Sequence, residues 1–331
     1  MNINKLYNAD CLELMPLIPN NSIDMILCDL PYGTTACSWD AIIPFDKLWM
    51  QYKRILKPNG TIALTSSQPF TSALIMSNIE MFKYDWVWIK NKTVGFTYCK
   101  TQPLRNTESV LIFQKETYGY GQNIGGREYF NQIKQYIGKS TKQINEIMGN
   151  RFAEHCFYYT SKQFNLPDKQ TYETMTEKFN LKEFADYLEY DAVLKRFGFT
   201  YNPQGLLKKD KPKLVNKKNN GKEWVYNTNS LTGKDYVVEY ENYPRQTIFV
   251  DCEPKTIHPT QKPTVLFEYL IKTYTNEGDL VLDNCIGSGT TAIACLNTNR
   301  NYIGIELDEK YYKIAFDRIN NYKKQTKLFT I

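Results

Sequence analysis

Residues 280–291 read Leu280-Val281-Leu282-Asp283-Asn284-Cys285-Ile286-Gly287-Ser288-Gly289-Thr290-Thr291. This stretch begins as a short apolar run, stops at an acidic residue and passes through two glycines into the start of a predicted helix. Glycine permits positive φ angles and lets a ligand approach the backbone closely. A strand that ends in a glycine turn before a helix is typical of nucleotide-binding α/β units, which bind ligands beyond the carboxyl ends of their strands. The stretch therefore predicts a sheet with a cofactor at that edge.

A second acidic residue strengthens this prediction. Glu306 follows Gly289 by 17 residues and ends residues 302–306, which are predicted to be the next strand. An acidic side chain about 20 positions after such a turn is the usual ligand of ribose hydroxyls. The glycine turn alone leaves three interpretations open, namely NAD, S-adenosylmethionine and a packing turn that binds nothing.

The catalytic candidate is Asp29-Leu30-Pro31-Tyr32, which directly follows the apolar run Ile23–Cys28. An exocyclic amine of adenine or cytosine is a weak nucleophile because its lone pair is delocalised into the ring. A carboxylate and a backbone carbonyl that accept its N–H bonds draw the nitrogen toward a tetrahedral state with an available lone pair. An aromatic ring can stack on an extruded base, which is worth about 1–3 kcal/mol. Taken alone, the motif is equally well a turn, since Asp-x-Pro commonly marks one.

Strands and helices are predicted to alternate in residues 1–115 and again in residues 255–331. Such alternation indicates an α/β fold with a Rossmann-like, doubly wound, mainly parallel sheet. Residues 116–254 differ, since a glycine-rich start leads into amphipathic helices and then into a Lys-, Asn- and Tyr-rich part with short strands. The simplest interpretation is one α/β domain, made of the two outer ranges, that is interrupted by an inserted, largely helical domain.

Three local predictions can be compared directly with the structure. Phe45–Leu56 has helical spacing and stops at the breaker cluster Lys57-Pro58-Asn59-Gly60, after which Thr61–Thr65 is predicted to be a strand. Ser140 is expected to cap a helix over 141–148. The Lys- and Asn-rich segment 208–222 has the composition of an exposed loop.

Composition restricts the class of protein. A hydrophobic fraction of 42% is ordinary for a soluble chain, and no apolar run approaches the roughly 18–20 residues of a membrane span. Eight cysteines without a Cys-x-x-Cys pair, together with two histidines, argue against a disulfide scaffold and a metal centre, so no metal is expected. Reduced cysteines and the absence of a signal peptide favour a cytoplasmic location. The net charge of +6 is concentrated in residues 208–222, which carry seven lysines and one acidic residue, Asp210.

In the order and combination of its motifs, the chain resembles the permuted β class of bacterial and phage DNA amino-methyltransferases. In that class an Asp-Pro-Pro-Tyr catalytic motif comes first, a target-recognition domain follows, and a Phe-x-Gly-x-Gly cofactor motif comes last. Here Leu30 replaces the first proline, and Asn284-Cys285-Ile286 replaces the usual Pro-Phe-x. Three further segments resemble motifs of the class: Asn8-Ala9-Asp10-Cys11, Pro103-Leu104-Arg105-Asn106-Thr107-Glu108 and His258-Pro259-Thr260-Gln261-Lys262-Pro263.

The resemblance implies a base of double-stranded DNA as the target, and that base must leave the duplex to react. Asp29 and the carbonyl of Leu30 would bind the target amine, Pro31 would hold the loop, and Tyr32 would stack on the base. Transfer would be a direct displacement that depends on positioning and needs no covalent enzyme intermediate.

The resemblance also implies S-adenosylmethionine as the cofactor. Glu306 would bind the ribose, Asp10 the adenine and Lys262 the methionine carboxylate. Further cofactor contacts are expected from Cys11, Asp283, Gly287, Ser288, Gly289, Thr290 and Thr291.

Within an inserted target-recognition domain, basic side chains are expected to contact DNA phosphates. The candidates are Lys208, Lys209, Lys211, Lys213, Lys217 and Lys218. A homodimer and a cognate restriction endonuclease stay open as further partners, by analogy with the class alone.

Asp29 favours the N6 amine of adenine as the target, because the cytosine-N4 subfamily usually has serine at that position. Cytosine-N4 methylation is the nearest alternative. An inactive DNA-binding relic of the same fold is an alternative of another kind, and cofactor binding would discriminate against it. An NAD-dependent dehydrogenase is a third alternative, but this sequence has no candidate proton relay beside the motifs.

Overall fold

The computed structural model of the chain describes residues 1–33, 40–115, 124–161, 163–215, 236–258 and 260–328. The strands in these ranges are β1 (Lys5–Asn8), β2 (Ile23–Cys28), β3 (Leu56–Ser66), β4 (Phe82–Val94), β5 (Arg105–Gln114), β6 (Leu207–Val215), β7 (Tyr236–Glu241), β8 (Thr247–Phe249), β9 (Leu280–Asp283) and β10 (Asn301–Glu306). The α-helices are α1 (Cys11–Leu14), α2 (Phe45–Ile55), α3 (Phe70–Ser77), α4 (Ile124–Ile137), α5 (Thr141–Met148), α6 (Lys169–Lys178), α7 (Tyr190–Phe197), α8 (Thr264–Tyr274), α9 (Thr290–Asn297) and α10 (Glu309–Leu328). None of the helices in these ranges is both long and apolar enough to cross a membrane.

Within the described ranges, eight strands form one sheet in the order β1-β10-β9-β2-β3-β5-β4-β8. Neighbouring strands are parallel except at β5, which is antiparallel to both β3 and β4. The carboxyl ends of β2, β3, β4, β9 and β10 therefore lie at one edge of the sheet. The doubly wound, mainly parallel sheet that the sequence predicts is confirmed.

Both faces of the sheet are covered by helices. Side chains alternate along β2, so that Ile26 and Cys28 join one apolar cluster while Met25 and Leu27 join another. The first cluster includes side chains of α2 and α3, and the second includes side chains of α8 and α9. Burial on both faces explains why β2 reads as a nearly continuous apolar run rather than an alternating one.

Strand β3 begins earlier than the sequence predicts. Helix α2 ends within one residue of the expected position, but the strand starts at Leu56 instead of Thr61. Residues 57–60 form a bulge opposite Asp24 alone, and Lys57 of this bulge donates a 2.6 Å hydrogen bond to that carboxylate. The prediction of a break was wrong because a bulge accommodates proline and glycine without ending the strand.

The described part of the inserted segment has an apolar cluster of its own. Helices α4 to α7 contribute fully buried side chains to it, among them Phe130, Ile144, Met175 and Val193. Helix α5 begins as predicted, since Ser140 and Gln143 form a reciprocal capping box. The role of this segment in target recognition stays a prediction.

The lysine-rich segment is not a loop throughout, because β6 extends across residues 207–215 and pairs antiparallel with β7. The pairing shifts between Lys208 and Lys213, where Pro212 has no N–H group to donate. Lys209 lies 3.5 Å from Glu241 in an ion pair, and Lys208 is exposed. Two candidate DNA-binding residues, Lys217 and Lys218, lie outside the described residues, as do the side chains of Lys211 and Lys213.

The chain returns to the main sheet before the predicted boundary at residue 254. Strand β8 pairs parallel with β4, with Ile248 opposite Trp88. The sequence places β8 in the inserted segment because three residues are too few to show a strand periodicity.

The Tyr274 hydroxyl connects α8 to β4. It accepts a 2.6 Å hydrogen bond from Trp86 Nε1 and lies 2.9 Å from the Tyr84 hydroxyl. Tyr274→Phe leaves the buried Trp86 N–H without this acceptor, so we expect the free energy of unfolding to fall by about 1–3 kcal/mol. Chemical denaturation measures this change. As a control, Tyr243→Phe alters an exposed ring and should change stability by less than about 0.5 kcal/mol. Equal stability of Tyr274→Phe and the wild type would contradict this role.

Candidate active site

The carboxyl ends of the parallel strands surround a cavity of about 650 Å³, which is within the usual range for small-molecule sites. Most residues that the sequence singled out line it. They are Asp10, Cys11, Asp29, Leu30, Pro31, Tyr32, Lys262, Asp283, Gly287, Ser288, Thr290 and Glu306. The two principal motifs are far apart in the sequence, but they face one cavity because β2 and β9 are neighbours.

Asp29 follows β2, and three side chains orient its carboxylate. Oδ1 accepts hydrogen bonds from the Tyr32 hydroxyl, at 2.8 Å, and from the Thr65 hydroxyl. Oδ2 accepts a 2.6 Å hydrogen bond from Lys262 Nζ. A carboxylate oxygen has two lone pairs, so Oδ2 can accept one further N–H donor.

Lys262 is a buried cation between two carboxylates. Its Nζ lies 2.6 Å from Asp29 Oδ2 and 3.5 Å from Glu108 Oε2, and the residue is 7% exposed. Burial acts to lower the pKa of Lys262, but the charges of Asp29 and Glu108 outweigh it and raise the pKa. Lys90 lies 2.7 Å from the other oxygen of Glu108. The resemblance implies that Lys262 contacts the cofactor, and the structure places its ammonium against the catalytic candidate.

The ring of Tyr32 lines the cavity and is supported from behind. Phe70 stacks on it with ring centroids 5.0 Å apart and an interplanar angle of 24°. Burial, followed by the charge of Asp29, raises the pKa of Tyr32 well above its usual value. The hydroxyl therefore stays protonated and serves as a donor to Asp29.

Glu306 ends β10 and holds the glycine turn. Its Oε2 accepts a 2.8 Å hydrogen bond from the Gly287 N–H, and its Oε1 accepts one of 2.9 Å from the Asp308 N–H. Gly287 has a φ of 54° and Gly289 one of 82°, a backbone region that other residues rarely adopt. Each carboxylate oxygen has a lone pair left for a ligand in the cavity.

Asp283 is buried at the end of β9. Its Oδ1 accepts a 3.1 Å hydrogen bond from the Cys285 N–H, and its Oδ2 accepts one from the Thr291 hydroxyl. Burial nevertheless raises the pKa of Asp283 to about 7. The protonation state of this carboxyl group therefore changes near neutral pH.

Gly289 and Thr291 lie behind the wall of the cavity. The Thr291 hydroxyl bonds to Asp283, while Gly289 packs closely against α10. The sequence predicts both as cofactor contacts, which stays a prediction, and in the structure both support the turn. Ser288 and Thr290, which alternate with them, do face the cavity.

The site also contains residues for which the sequence predicted no role in it. Thr65 reaches Asp29 from the end of β3, and its position at the end of a predicted strand was the available signal. Glu108 belongs to a segment expected only ahead of a late strand, but it lies within β5 and reaches the site. His258 packs on Tyr311 with ring centroids 4.1 Å apart, and both line the cavity.

The donor set of the cavity suits a cationic nucleoside cofactor. Asp10, Asp283 and Glu306 supply carboxyl groups, Ile286 supplies apolar wall, and Cys285 lines the cavity at the position of the phenylalanine of the related motif. A Cβ added at Gly287 would meet nothing closer than 3.8 Å, so the backbone is open to a ligand there. Among the described residues, no three His, Cys, Asp or Glu side chains are placed to hold a metal ion.

This fold and site define a methyltransferase of the Rossmann-like class. The chain belongs to the DNA methylase family of N6- and N4-specific enzymes, whose family model matches residues 23–317. It is a DNA methyltransferase that uses S-adenosylmethionine, which confirms the predicted family and cofactor. The family covers both N6 and N4 enzymes, so membership leaves the target amine open.

Individual relatives agree with this membership. The chain is 45% identical to the Type II methyltransferase M.HpaI of Haemophilus parainfluenzae over 329 residues, which are 96% of this chain and 74% of that protein. It is 24% identical to the Type II methyltransferase M.HinfI of Haemophilus influenzae over 332 residues, covering 97% and 69% of the two chains. It is 30% identical to the DNA adenine methyltransferase YhdJ of Escherichia coli strain K12 over 237 residues, covering 64% and 77%.

Asp283 should make the stability of the protein depend on pH. Its folded pKa of about 7 lies above the usual value of about 3.9, so the folded state binds an extra proton between these values. The raised pKa contributes fully to the free energy of unfolding below pH 4, and this contribution is lost as the pH rises toward 7. Its size is about 1.4 kcal/mol for each unit by which the folded and unfolded pKa values differ. We expect Asp283→Asn, which is neutral throughout, to become progressively more stable relative to the wild type between pH 5 and pH 8.

Thermal unfolding at each pH measures this difference. Asp46→Asn in the exposed first turn of α2 is the control, and its difference from the wild type should not change over the same interval. A pH-independent difference for Asp283→Asn would contradict the raised pKa.

Proposed function

We propose that this protein transfers a methyl group from S-adenosylmethionine to the N6 amine of adenine in double-stranded DNA. The observation that supports the proposal best is the position of Asp29, whose carboxylate is oriented in the wall of the cavity that Asp283 and Glu306 also line. A base amine at Asp29 and a cofactor at Glu306 would share one space. Direct transfer requires this proximity, which lowers the barrier through orientation.

Asp29 binds the target amine through the free lone pair of Oδ2, and the Leu30 carbonyl accepts its second N–H. The two acceptors localise the nitrogen lone pair and point it into the cavity. S-adenosylmethionine supplies a methyl group activated by a positively charged sulfur. Lys262, next to Asp29, holds the carboxylate in place while the base enters.

Tyr32 stacks on the extruded base, and Phe70 supports the ring from behind. Because Tyr32 also donates to Asp29, one loop sets both the plane of the base and the position of its amine. Extrusion is needed since a paired base cannot reach a carboxylate at the wall of a cavity.

Glu306 binds the ribose hydroxyls and Asp10 the adenine of the cofactor. Both carboxylates line the cavity and retain lone pairs after their own backbone hydrogen bonds. The cofactor also contacts Cys11, Gly287, Ser288 and Thr290, because these residues line the same cavity. A contact between Lys262 and the methionine carboxylate stays a prediction, because its ammonium is engaged by Asp29.

The inserted segment 116–254 recognises the target sequence, and its lysines contact phosphates without reading the bases. Exposed Lys208 is the best placed of the described candidates, since Lys209 is paired with Glu241. The protein acts in the cytoplasm. The Type II names of its relatives favour a restriction-modification context with a cognate endonuclease. Whether the protein forms a homodimer can be measured directly.

Cytosine-N4 methylation is the second candidate. The two amines are chemically alike, and the family includes enzymes of both kinds. Asp29 favours adenine, because serine is usual at this position in the cytosine-N4 subfamily. The relative YhdJ, named a DNA adenine methyltransferase, favours the same choice.

The product decides between these candidates. The protein is expressed in a host without DNA methyltransferases of its own, and the host DNA is digested to nucleosides and separated by mass. N6-methyldeoxyadenosine is the expected product. N4-methyldeoxycytidine as the main product would overturn the adenine assignment and leave the family membership intact.

Asp29→Ala removes the acceptor of the target amine, so we expect kcat to fall by about 100-fold or more. The Kd for S-adenosylmethionine, measured by calorimetry, should stay close to the wild-type value because Glu306 and Asp10 are unchanged. Asp46→Ala, at an exposed aspartate, is the matched control and should keep full activity. An active Asp29→Ala enzyme, or one that loses both activity and cofactor binding, would contradict the assigned role.

A further inference from the structure

The hairpin tip between β4 and β5, residues 95–104, follows the end of β4 that lines the cavity. Strand β4 runs parallel to β3, since both are antiparallel to β5, so its carboxyl end lies at the same edge as Asp29. Lys90, Lys92 and Val94 at this end of β4 line the cavity. The hairpin tip therefore lies beside the cavity that contains Asp29.

Two aromatic rings stand exposed on this tip. Phe96 is 74% exposed and Tyr98 is 61% exposed. A short 3₁₀ turn holds them outward, with hydrogen bonds of 2.9 Å from the Tyr98 N–H to the Gly95 carbonyl and of 3.2 Å from the Cys99 N–H to the Phe96 carbonyl. Gly95 allows the reversal of the chain with a φ of 93°. The rings are thus presented by an ordered turn.

The charge around these rings indicates what they contact. Residues 90–107 contain four basic residues and no acidic residue. Lys90 is paired with Glu108, whereas Lys92, Lys100 and Arg105 are exposed around the aromatic rings. Aromatic rings among exposed cations match a nucleic acid, which offers phosphates to the cations and stacked bases to the rings. A purely apolar protein partner would leave the cations uncompensated.

We infer that the tip of this hairpin is a wedge that enters the DNA duplex beside the target base, an inference that rests on the proposed function. Extrusion of a base leaves a gap in the stack and costs unstacking free energy. Phe96 and Tyr98 reach the duplex from the same edge as Asp29, and an inserted ring replaces the stacking that the extruded base gives up. Lys92, Lys100 and Arg105 bind the flanking phosphates and hold the rings in register.

The test compares two DNA duplexes that contain the methylation site of this protein. That site is first mapped by sequencing host DNA that the protein has modified. In one duplex the target base is paired, and in the other it faces an abasic position, so that it is unpaired and its extrusion costs less free energy. We expect the double variant Phe96→Ala/Tyr98→Ala to lower kcat/KM on the paired duplex by about tenfold or more. On the duplex with the abasic position, its kcat/KM should stay within about twofold of the wild type. The Kd for S-adenosylmethionine should not change.

Leu17→Ala is the matched control. Leu17 is 63% exposed, but it precedes the amino end of β2, at the opposite edge of the sheet, and its loss should affect neither duplex. A second measurement places 2-aminopurine at the target position. The wild type should raise its fluorescence on binding, and the double variant should raise it less at equal occupancy.

Equal losses on both duplexes, or no loss on either, would overturn the wedge. So would an unchanged fluorescence response of the double variant. These outcomes differ from a failure of the proposed function, in which the wild type itself leaves the host DNA without methylated adenine.

Discussion

The parallel pairing of β2 with β9 is the contact on which the site depends. Residues 25–26 lie beside residues 281–282 in the sheet, and all four side chains are fully buried. Asp24 Oδ2 accepts a 2.9 Å hydrogen bond from the N–H of Leu280, the first residue of β9. Because both strands end at the same edge, Asp29 and Asp283 emerge side by side. A slip of two residues would move one motif about 7 Å along the strand and separate the base side of the cavity from the cofactor side.

The charges of Asp29 and Glu108 are balanced within the protein. Lys262 lies between Asp29 and Glu108, and Lys90 compensates the second oxygen of Glu108. A buried ion costs several kcal/mol unless it is paired, so these groups constrain one another even though they come from different elements. The same contacts that offset the cost of burial orient the Asp29 carboxylate. Electrostatics and catalytic geometry are therefore coupled at this site.

The catalytic cavity and the apolar cluster of the inserted segment are formed by different residues. The residues that shape the cavity belong to the main sheet and its loops, while the described helices of the inserted segment have their own apolar cluster. Changes in the inserted segment can alter its surface without repacking the two clusters that cover the sheet. The hairpin between β4 and β5 is part of the sheet itself, so its tip has a fixed position relative to Asp29.

Local patterns in the sequence determined the fold class, the two motifs and several element boundaries. Helix α5 and strand β9 begin and end where the capping serine and the apolar run predict, because those signals are local. The bulge at 57–60, the extent of β6 and the docking of β8 were not predictable in this way, since each depends on a partner strand distant in sequence. The same reason applies to the ion pairs of Lys262. A sequence shows that a lysine is present, but only the order of strands in the sheet decides that two carboxylates, from β5 and from the loop after β2, meet around it.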